Sequence, residues 1–315
     1  MRYKLLSLSA GLLLAGVFIN SCKQDPGSSM SILPMKASGG STPNPVIVYT
    51  GSSLVHGQYY PSLNTMDSDG VNQKAIITSY PNMGADYSSP TWSPDNANIS
   101  FVRAGLRRVR ADGAGMQLLA SQAPDGSTIA SYQAWSPNAN NNEIAYASYS
   151  GSGTSAVVSI YLIPSSGGTS TLLYRGDTGH TFFGGFSWNA DGSRLYFADY
   201  NYATRTSRIN VVNRSTGQIS NTYLDGTGGS IWSVRPTRTG ETKIAYHLGS
   251  DIHVLNLSTL ADNVIATNVG YDFAWSKDNN KLYYSNNTGG EGYYNFSTGI
   301  GSSLPSGSGA NDWKR

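Results

Sequence analysis

Three of the four histidines occupy positions where they could do chemistry. His56, His180 and His247 fall in or beside segments rich in Gly, Ser, Tyr and Asp, and imidazole is both a metal ligand and a general base near neutral pH. They lack the tight spacing of a metal-binding pair such as H-E-x-x-H, and no G-x-S-x-G elbow, phosphate loop or dinucleotide fingerprint occurs. The sequence therefore predicts no metal, no cofactor and no catalytic residue, with solvated loop histidines as the simpler interpretation.

The single cysteine, Cys22, is the second candidate for chemistry. It follows a short basic start, residues 1–4, and an apolar run, residues 5–18, of the length of a secretory signal core. Residues 19–22, with the sequence INSC, resemble a bacterial lipobox. A lone thiol is unusual in an oxidising compartment, and diacylation of Cys22 accounts for it and gives stable anchoring. A signal peptide cut elsewhere, or a transmembrane anchor, is the alternative, although the run is short for a bilayer span of about 20 residues.

This interpretation divides the chain into three parts. Residues 1–21 are predicted to be a lipoprotein signal peptide, residues 22–44 a flexible tether rich in Ser, Gly and Pro, and residues 45–315 the folded domain. We therefore expect a lipid-anchored protein of the bacterial cell envelope, at the outer membrane, facing the periplasm or the cell surface. The folded part is large enough for one closed β-domain, and we expect it to be a monomer.

Charge excludes one class of partner. Removal of residues 1–21 takes away Arg2 and Lys4, which lowers the 21 basic residues to 19, equal to the 19 acidic ones. No run of basic residues occurs in the remaining chain. Because nucleic-acid binding needs clustered Lys and Arg to neutralise phosphates, the sequence predicts no nucleic-acid partner.

The tryptophans indicate the architecture that would position these residues. The six occur at intervals of 43, 53, 44, 43 and 38 residues. One recurrence per about 40–45 residues is typical of a propeller with one four-stranded blade per repeat. We therefore interpret the tryptophans as packing between blades rather than as ligand contacts. They are Trp92, Trp135, Trp188, Trp232, Trp275 and Trp313.

Each repeat is predicted to contain strands a, b, c and d, with the tryptophan on strand a. Short runs rich in β-branched and aromatic residues, such as 99–102 and 160–163, read as strands b and c. Residues 46–49 match a strand b, so the first blade begins without its inner strand, and residues 310–313 match a strand a. The sequence thus predicts an all-β, six-bladed propeller of four-stranded blades, closed by the C-terminal strand pairing into blade one.

The repeated motifs resemble the TolB-like six-bladed β-propeller family. The motifs are PTWSPD at 90–95, QAWSPN at 133–138 and FAWSKD at 273–278, together with MDSDG at 66–70 before a final strand. The resemblance covers about residues 46–313. It implies the same closed, WD-like fold and is weak for function, because such propellers host many activities.

Strand order decides which loops share a face. The a–b and c–d turns lie on one rim and are short and polar, whereas the b–c and d–a loops, such as residues 51–61, 175–185 and 200–207, are longer and aromatic. Loops on a rigid scaffold concentrate function, and aromatic side chains are favoured contacts. We therefore expect the b–c/d–a face to bind a ligand, although tyrosines here can also cover loop backbone. The candidates are His56, Tyr59, Tyr60, Tyr87, Tyr132, His180, Phe183, Tyr202, Arg205, His247 and Tyr271.

Two functions remain open from the sequence. The first is a non-catalytic scaffold that binds a protein or a glycan of the cell envelope through the aromatic face. The alternative is a carbohydrate-active lyase or hydrolase with a histidine-lined site on that face, since some propeller-based polysaccharide lyases hold a histidine cluster over the channel mouth. In that case His56, His180 and His247 would have to converge on a metal.

Overall fold

A computed structural model of the chain describes residues 47–67, 72–79, 87–286, 291–304 and 312–313. All of them belong to one compact unit, Pro43–Arg315. Their strands form six antiparallel sheets, arranged as the blades of a β-propeller, which confirms the predicted fold class. Within these residues there is one short 3₁₀ helix, η1, Gly153–Ser155, and no helix long and apolar enough to cross a membrane.

The strands follow the predicted order a, b, c, d in every blade. Blade one contains β1 (Ile47–Val55), β2 (Gln58–Met66) and β3 (Lys74–Thr78), and blade two contains β4 (Ser88–Trp92), β5 (Asn98–Val102), β6 (Leu106–Arg110) and β7 (Gln117–Ala120). Blade three contains β8 (Thr128–Trp135), β9 (Glu143–Ser150), β10 (Val157–Pro164) and β11 (Thr171–Arg175). Blade four contains β12 (His180–Thr181), β13 (Ser187–Trp188), β14 (Arg194–Asn201), β15 (Thr206–Asn213) and β16 (Ile219–Gly228). Blade five contains β17 (Ile231–Pro236), β18 (Lys243–Leu248), β19 (Asp251–Asn256) and β20 (Asp262–Ala266). Blade six contains β21 (Val269–Trp275), β22 (Lys281–Asn286), β23 (Glu291–Asn295) and β24 (Ile300–Leu304).

The C-terminal strand β25 (Asp312–Trp313) completes blade one, as predicted. It pairs antiparallel with β1, with Ile47 opposite Trp313 and Val48 opposite Asp312. It also contacts β21 of blade six and β4 of blade two. The pairing closes the ring and covers the edge of β1, which would otherwise present unpaired backbone groups to other chains.

Tryptophan marks the last residue of strand a in four of the inner strands whose side chains are described. Trp92, Trp135, Trp188 and Trp275 are buried, and each pairs with the first apolar residue of its strand b. Two of them also join neighbouring blades, because the indole Nε1 of Trp188 donates to the carbonyl of Ala134 at 3.1 Å and that of Trp275 donates to the carbonyl of Arg235 at 2.9 Å.

Trp232 lies on strand a of blade five, as predicted, but not at the position that the other four tryptophans occupy. It lies at the second residue of β17, at the opposite end of the strand. The residue that pairs with the first apolar residue of strand b, Ile244, is Pro236. The indole of Trp232 is half-buried and contacts the ring of Phe183 instead.

The inner strands are irregular. Register shifts interrupt the pairing of strand a with strand b in blades two, three, five and six. In blade four the interruption is complete, because β12 and β13 both pair with β14 and residues 182–186 leave the sheet between them. Such bulges redirect side chains next to binding sites, and this one builds the cleft described below.

Candidate functional site

An open cleft lies between blades three and four on the b–c/d–a rim, the face predicted to bind. Its volume is about 330 Å³. The start of β8, the β9–β10 connection with η1, the d–a connection into blade four and the β14–β15 turn form its walls. The lining residues are Ala130, Ser131, Tyr132, Tyr149, Gly151, Ser152, Gly153, Ala156, Val158, Thr181, Phe182, Phe183 and Tyr202.

Residues 182–186, the detour in which the inner strand of blade four leaves the sheet, depend on Gly184. The backbone of Gly184 runs directly against the carbonyl of Trp232, so a side chain at this position has no room. The amide of Val234 donates to the carbonyl of Gly185 at 3.3 Å and holds the same approach. The detour is therefore fixed against β17 of blade five.

This approach places Phe183 at the centre of an aromatic cluster. Its ring centroid lies 5.1 Å from that of Trp232, 4.7 Å from that of Tyr200 and 6.2 Å from that of Tyr202. Tyr200 and Tyr202 meet edge to face at 5.4 Å. Pairs with this spacing contribute about 0.5–1.5 kcal/mol each beyond area burial, so the rings form a rigid wall.

Tyr132 connects this wall to blade three. Its hydroxyl donates to the carbonyl of Phe183 at 2.8 Å. Burial raises the pKa of the Tyr132 phenol to about 12, so it remains a neutral donor at physiological pH. The hydrogen bond fixes Phe183 from the blade-three side, as Gly184 does from the blade-five side.

The opposite wall is short and carries one exposed ring. Tyr149, near the end of β9, is 48% exposed, and the turn after it contains Gly151 with φ of +72°. The hydroxyl of Ser155 donates to the carbonyl of Ser152 at 2.8 Å and closes η1. The amide of Gly179 donates to the carbonyl of Ala156 at 2.8 Å, which joins this wall to the strand entering blade four.

The chemistry of the cleft is uncharged and aromatic. Among the described residues that line it, none is Asp, Glu, Lys, Arg or His. The polar groups are hydroxyls of Ser131, Ser152 and Thr181, the tyrosine hydroxyls and backbone amides. This lining can pack flat against an apolar face of a ligand and exchange hydrogen bonds with its hydroxyls, and its described residues include no carboxylate, imidazole, amine or thiol.

The structure brings together three of the predicted face residues, Tyr132, Phe183 and Tyr202. Three others are not among the residues that line the cleft. His56 and Tyr59 lie in the β1–β2 hairpin of blade one, with Tyr59 68% exposed, and Arg205 is exposed in the β14–β15 turn. Residues 51–61, predicted to be a loop, form the end of a long hairpin with its turn at residues 56–57. The antiparallel pairing of β1 with β2 continues through them, with Ser52 opposite Pro61 and Leu54 opposite Tyr59.

Three further face candidates are buried, so their prediction as contact residues is wrong. Tyr60 is 8% exposed, Tyr87 3% and His247 1%. Tyr87 packs against Phe101, with ring centroids 5.4 Å apart. His247 lies on β18, and a strand b in a propeller is covered on both faces by neighbouring blades. Its ring lies 3.4 Å from the carbonyl of Val269, and burial lowers its pKa.

His180 belongs to a separate polar cluster on blade four. Its Nδ1 lies 3.0 Å from both carboxylate oxygens of Asp199, which is buried. The guanidinium of Arg208 donates to the same carboxylate at 2.9 Å. These groups border a cavity of about 170 Å³ that also contains Asp225. Among the described residues, no three His, Cys, Asp or Glu side chains form a group able to hold a metal, so His56, His180 and His247 do not converge.

The sequence interpretation missed the contribution of Trp232. The sequence did contain a sign that Trp232 differs from the other tryptophans. The first apolar residue of strand b, Ile244, comes 12 positions after Trp232, whereas Ile99 comes 7 positions after Trp92. Trp232 also lacks the Ser-Pro that follows Trp92 and Trp135.

Several predictions lie outside the described residues. They are the signal peptide 1–21, the lipidation site Cys22, the tether 22–44 and the side chains of Tyr271 and Trp313.

Comparisons with known proteins establish the fold alone. No protein-family model matches the chain, and no curated protein matches it. Among solved structures, it is similar to the nidogen/laminin complex, with a TM-score of 0.58 and 10% identity over 82% of this chain and 92% of that chain. It is similar to an oligogalacturonate lyase in complex with manganese, with a TM-score of 0.54 and 10% identity over 85% and 86% of the two chains. The β-propeller domain of Myceliophteria thermophila Cps50 (Swd1) gives a TM-score of 0.50 and 13% identity over 78% and 84%. With the topology, these similarities define a six-bladed β-propeller protein.

Proposed function

We propose that this protein is a non-catalytic, lipid-anchored propeller of the bacterial cell envelope that binds an uncharged glycan in the aromatic cleft between blades three and four. The observation that supports the ligand class is the lining itself. Rings of Tyr132, Tyr149 and Tyr202 offer flat apolar faces for the C–H face of a sugar, and hydroxyls between them match sugar hydroxyls.

The dimensions support the same ligand class. The volume of about 330 Å³ lies at the small end of ligand pockets, which run from about 300 to 1,000 Å³, and suits about one or two sugar rings. The cleft opens on the rim, so a longer chain can continue beyond it. The absence of charge among the described lining residues disfavours uronic acids and phosphorylated glycans, because nothing there would offset the loss of hydration of an anion.

Binding should be tested with a panel of neutral and acidic oligosaccharides, followed by calorimetry of those that bind. Tyr149→Ala and Tyr202→Ala are expected to raise the dissociation constant at least tenfold, about 1.4 kcal/mol, because each removes a ring from the cleft. Tyr149→Phe keeps the ring and is expected to retain most of the affinity.

Tyr59→Ala is the matched control, since Tyr59 is an exposed tyrosine on the same rim but outside the cleft. Glycan binding that Tyr149→Ala and Tyr202→Ala leave unchanged would remove the cleft as the site. Binding of an envelope protein, with no glycan bound and with the same dependence on Tyr149, would replace the glycan by a protein partner.

The proposed envelope location is supported by the sequence of residues 1–22. The proposed membership of the TolB-like family is supported by the repeated motifs together with the six-bladed, terminally closed topology.

Metabolic labelling with palmitate tests the anchor. The parent protein is expected to incorporate label and to sediment with membranes, and Cys22→Ala is expected to lose both. A labelled Cys22→Ala variant would contradict lipidation at this residue.

A carbohydrate-active enzyme is the second candidate, and the pairing of His180 with Asp199 beside a cavity supports it. A carboxylate behind an imidazole orients it as a general base. However, Arg208 holds the same carboxylate, an arrangement that also serves purely to connect strands. Turnover of polysaccharides by the parent protein that His180→Ala abolishes would favour the enzyme, and binding without turnover would favour the scaffold.

A further inference from the structure

A second cavity, of about 230 Å³, lies on the propeller axis at the rim opposite the aromatic cleft. Its lining comes from five blades, from blade two through blade six, and only the channel at the centre of the ring is shared by so many blades. It is formed by the ends of strands a and the a–b turns. The lining residues are Pro94, Pro137, Ser187, Trp188, Asn189, Ala190, Arg235, Pro236, Arg238, Thr239, Ala274, Trp275 and Lys277.

Three cations line this channel mouth, Arg235, Arg238 and Lys277, and none of its described lining residues is acidic. Both arginines are half-buried, and Lys277 is exposed. The Cζ of Arg235 lies 6.0 Å from the ring centroid of Phe273, and the guanidinium of Arg238 donates to the carbonyl of Trp275 at 3.4 Å. These contacts hold the two guanidinium groups against blade six.

The repeat shows how the charge is distributed. The position two residues after the end of strand a faces the mouth in five blades. In blades two, three and four it is uncharged, and in blades five and six it is cationic. The residues are Pro94, Pro137, Ala190, Arg238 and Lys277. One half of the mouth is therefore basic and the other half small and apolar.

Two carboxylates adjacent in sequence to mouth residues, Asp95 and Asp278, are committed to their own turns, and Glu241, three residues after Arg238, pairs with Arg194. Asp95 accepts hydrogen bonds from Ser93 and from the amide of Ala97, and Asp278 accepts from Ser276 and from the amide of Asn280. Hydrogen bonds from these serine side chains are the largest cause of the lowered pKa of both carboxyls. Neither Asp95 nor Asp278 lines the mouth, and both cap turns beside it.

We propose that the channel mouth binds a compact oxyanion with carboxylate or phosphate groups and at least two negative charges, held by Arg235, Arg238 and Lys277. The planar guanidinium group matches carboxylate or phosphate oxygens in a bidentate manner, and the lysine adds a third charge. A volume equal to about eight waters at roughly 30 Å³ each admits a small metabolite and excludes a folded domain.

Calorimetry of the full-length protein with citrate and with pyrophosphate, each at 20 mM and 150 mM NaCl, tests the site. Binding of citrate alone identifies a carboxylate ligand, and binding of pyrophosphate alone identifies a phosphate ligand. Either result supports the site if Lys277→Glu weakens binding at least tenfold and Arg238→Gln weakens it severalfold.

Arg110→Gln is the matched control, because Arg110 is an exposed cation on the same rim, paired with Asp112 away from the mouth. It is expected to leave both affinities unchanged. Lys277 is exposed, so its substitution tests the charge without disturbing the core. Failure of both anions to bind, binding that disappears at 150 mM NaCl, or binding that Lys277→Glu leaves intact would overturn the proposal.

Discussion

Deletion of residues 307–315 removes β25, the strand that completes blade one, and tests ring closure directly. Ile47 and Val48 are fully buried and pair with β25, so the deletion exposes part of each side chain, while blades six and two still pack against them. Full exposure of a Val or Ile side chain costs about 1.5–3 kcal/mol, which is the upper limit for each. Loss of the backbone hydrogen bonds of the pair adds about 1 kcal/mol each. We therefore expect the free energy of unfolding to fall by several kcal/mol, up to about 8 kcal/mol, against a total of about 5–15 kcal/mol for a domain.

Thermal unfolding followed by calorimetry, with size-exclusion chromatography, measures this effect. At about 2 °C per kcal/mol for a domain of this size, the Tm is expected to fall on the order of 10 °C. The uncovered edge of β1 is expected to promote self-association. Deletion of residues 314–315 alone leaves β25 in place and is the control. A monomer whose Tm stays within about 2 °C of the parent would refute the role of β25 in closure.

Two further predictions follow from single residues. Gly184→Ala is expected to cost several kcal/mol or to prevent folding, because the new Cβ would overlap the carbonyl of Trp232. Gly185→Ala is the control, since a Cβ at that position meets nothing within 4 Å. Equal Tm values for the two variants would contradict the close approach. Burial holds the pKa of His247 below its usual 6.5 in the folded protein. As the pH falls through about 6.5, the imidazole is therefore protonated in the unfolded chain before it is in the folded one, and the folded state loses stability. His247→Gln should remove this part of the decline in Tm between pH 7.5 and 5, and identical slopes in both proteins would show that another group is responsible.

The two candidate sites differ in chemistry as well as in position. The cleft on the b–c/d–a rim is uncharged and built from rings, whereas the channel mouth on the a–b rim is basic. Each can therefore be altered by substitutions that leave the other intact. A propeller with a glycan site on one rim and an anion site on the other would be able to bind both ligands at once.

The sequence by itself determined the architecture. Strand order, blade number and the pairing of residues 312–313 with β1 followed from local repeats, because each blade repeats the same short-range pattern of apolar strands and polar turns. It also predicted the rim on which the aromatic cleft lies, because chain order alone decides which loops share a face. Tyr132, Phe183 and Tyr202 were predicted on that basis.

The tertiary structure alone decided which side chains are accessible. Tyr60, Tyr87 and His247 were expected on the surface and are buried, because neighbouring blades cover both faces of a sheet and no local pattern distinguishes the two. The break in the blade-four inner strand depends on contact between Gly184 and Trp232, residues 48 positions apart. The basic channel mouth likewise joins residues from five blades, a proximity that exists only once the ring has closed.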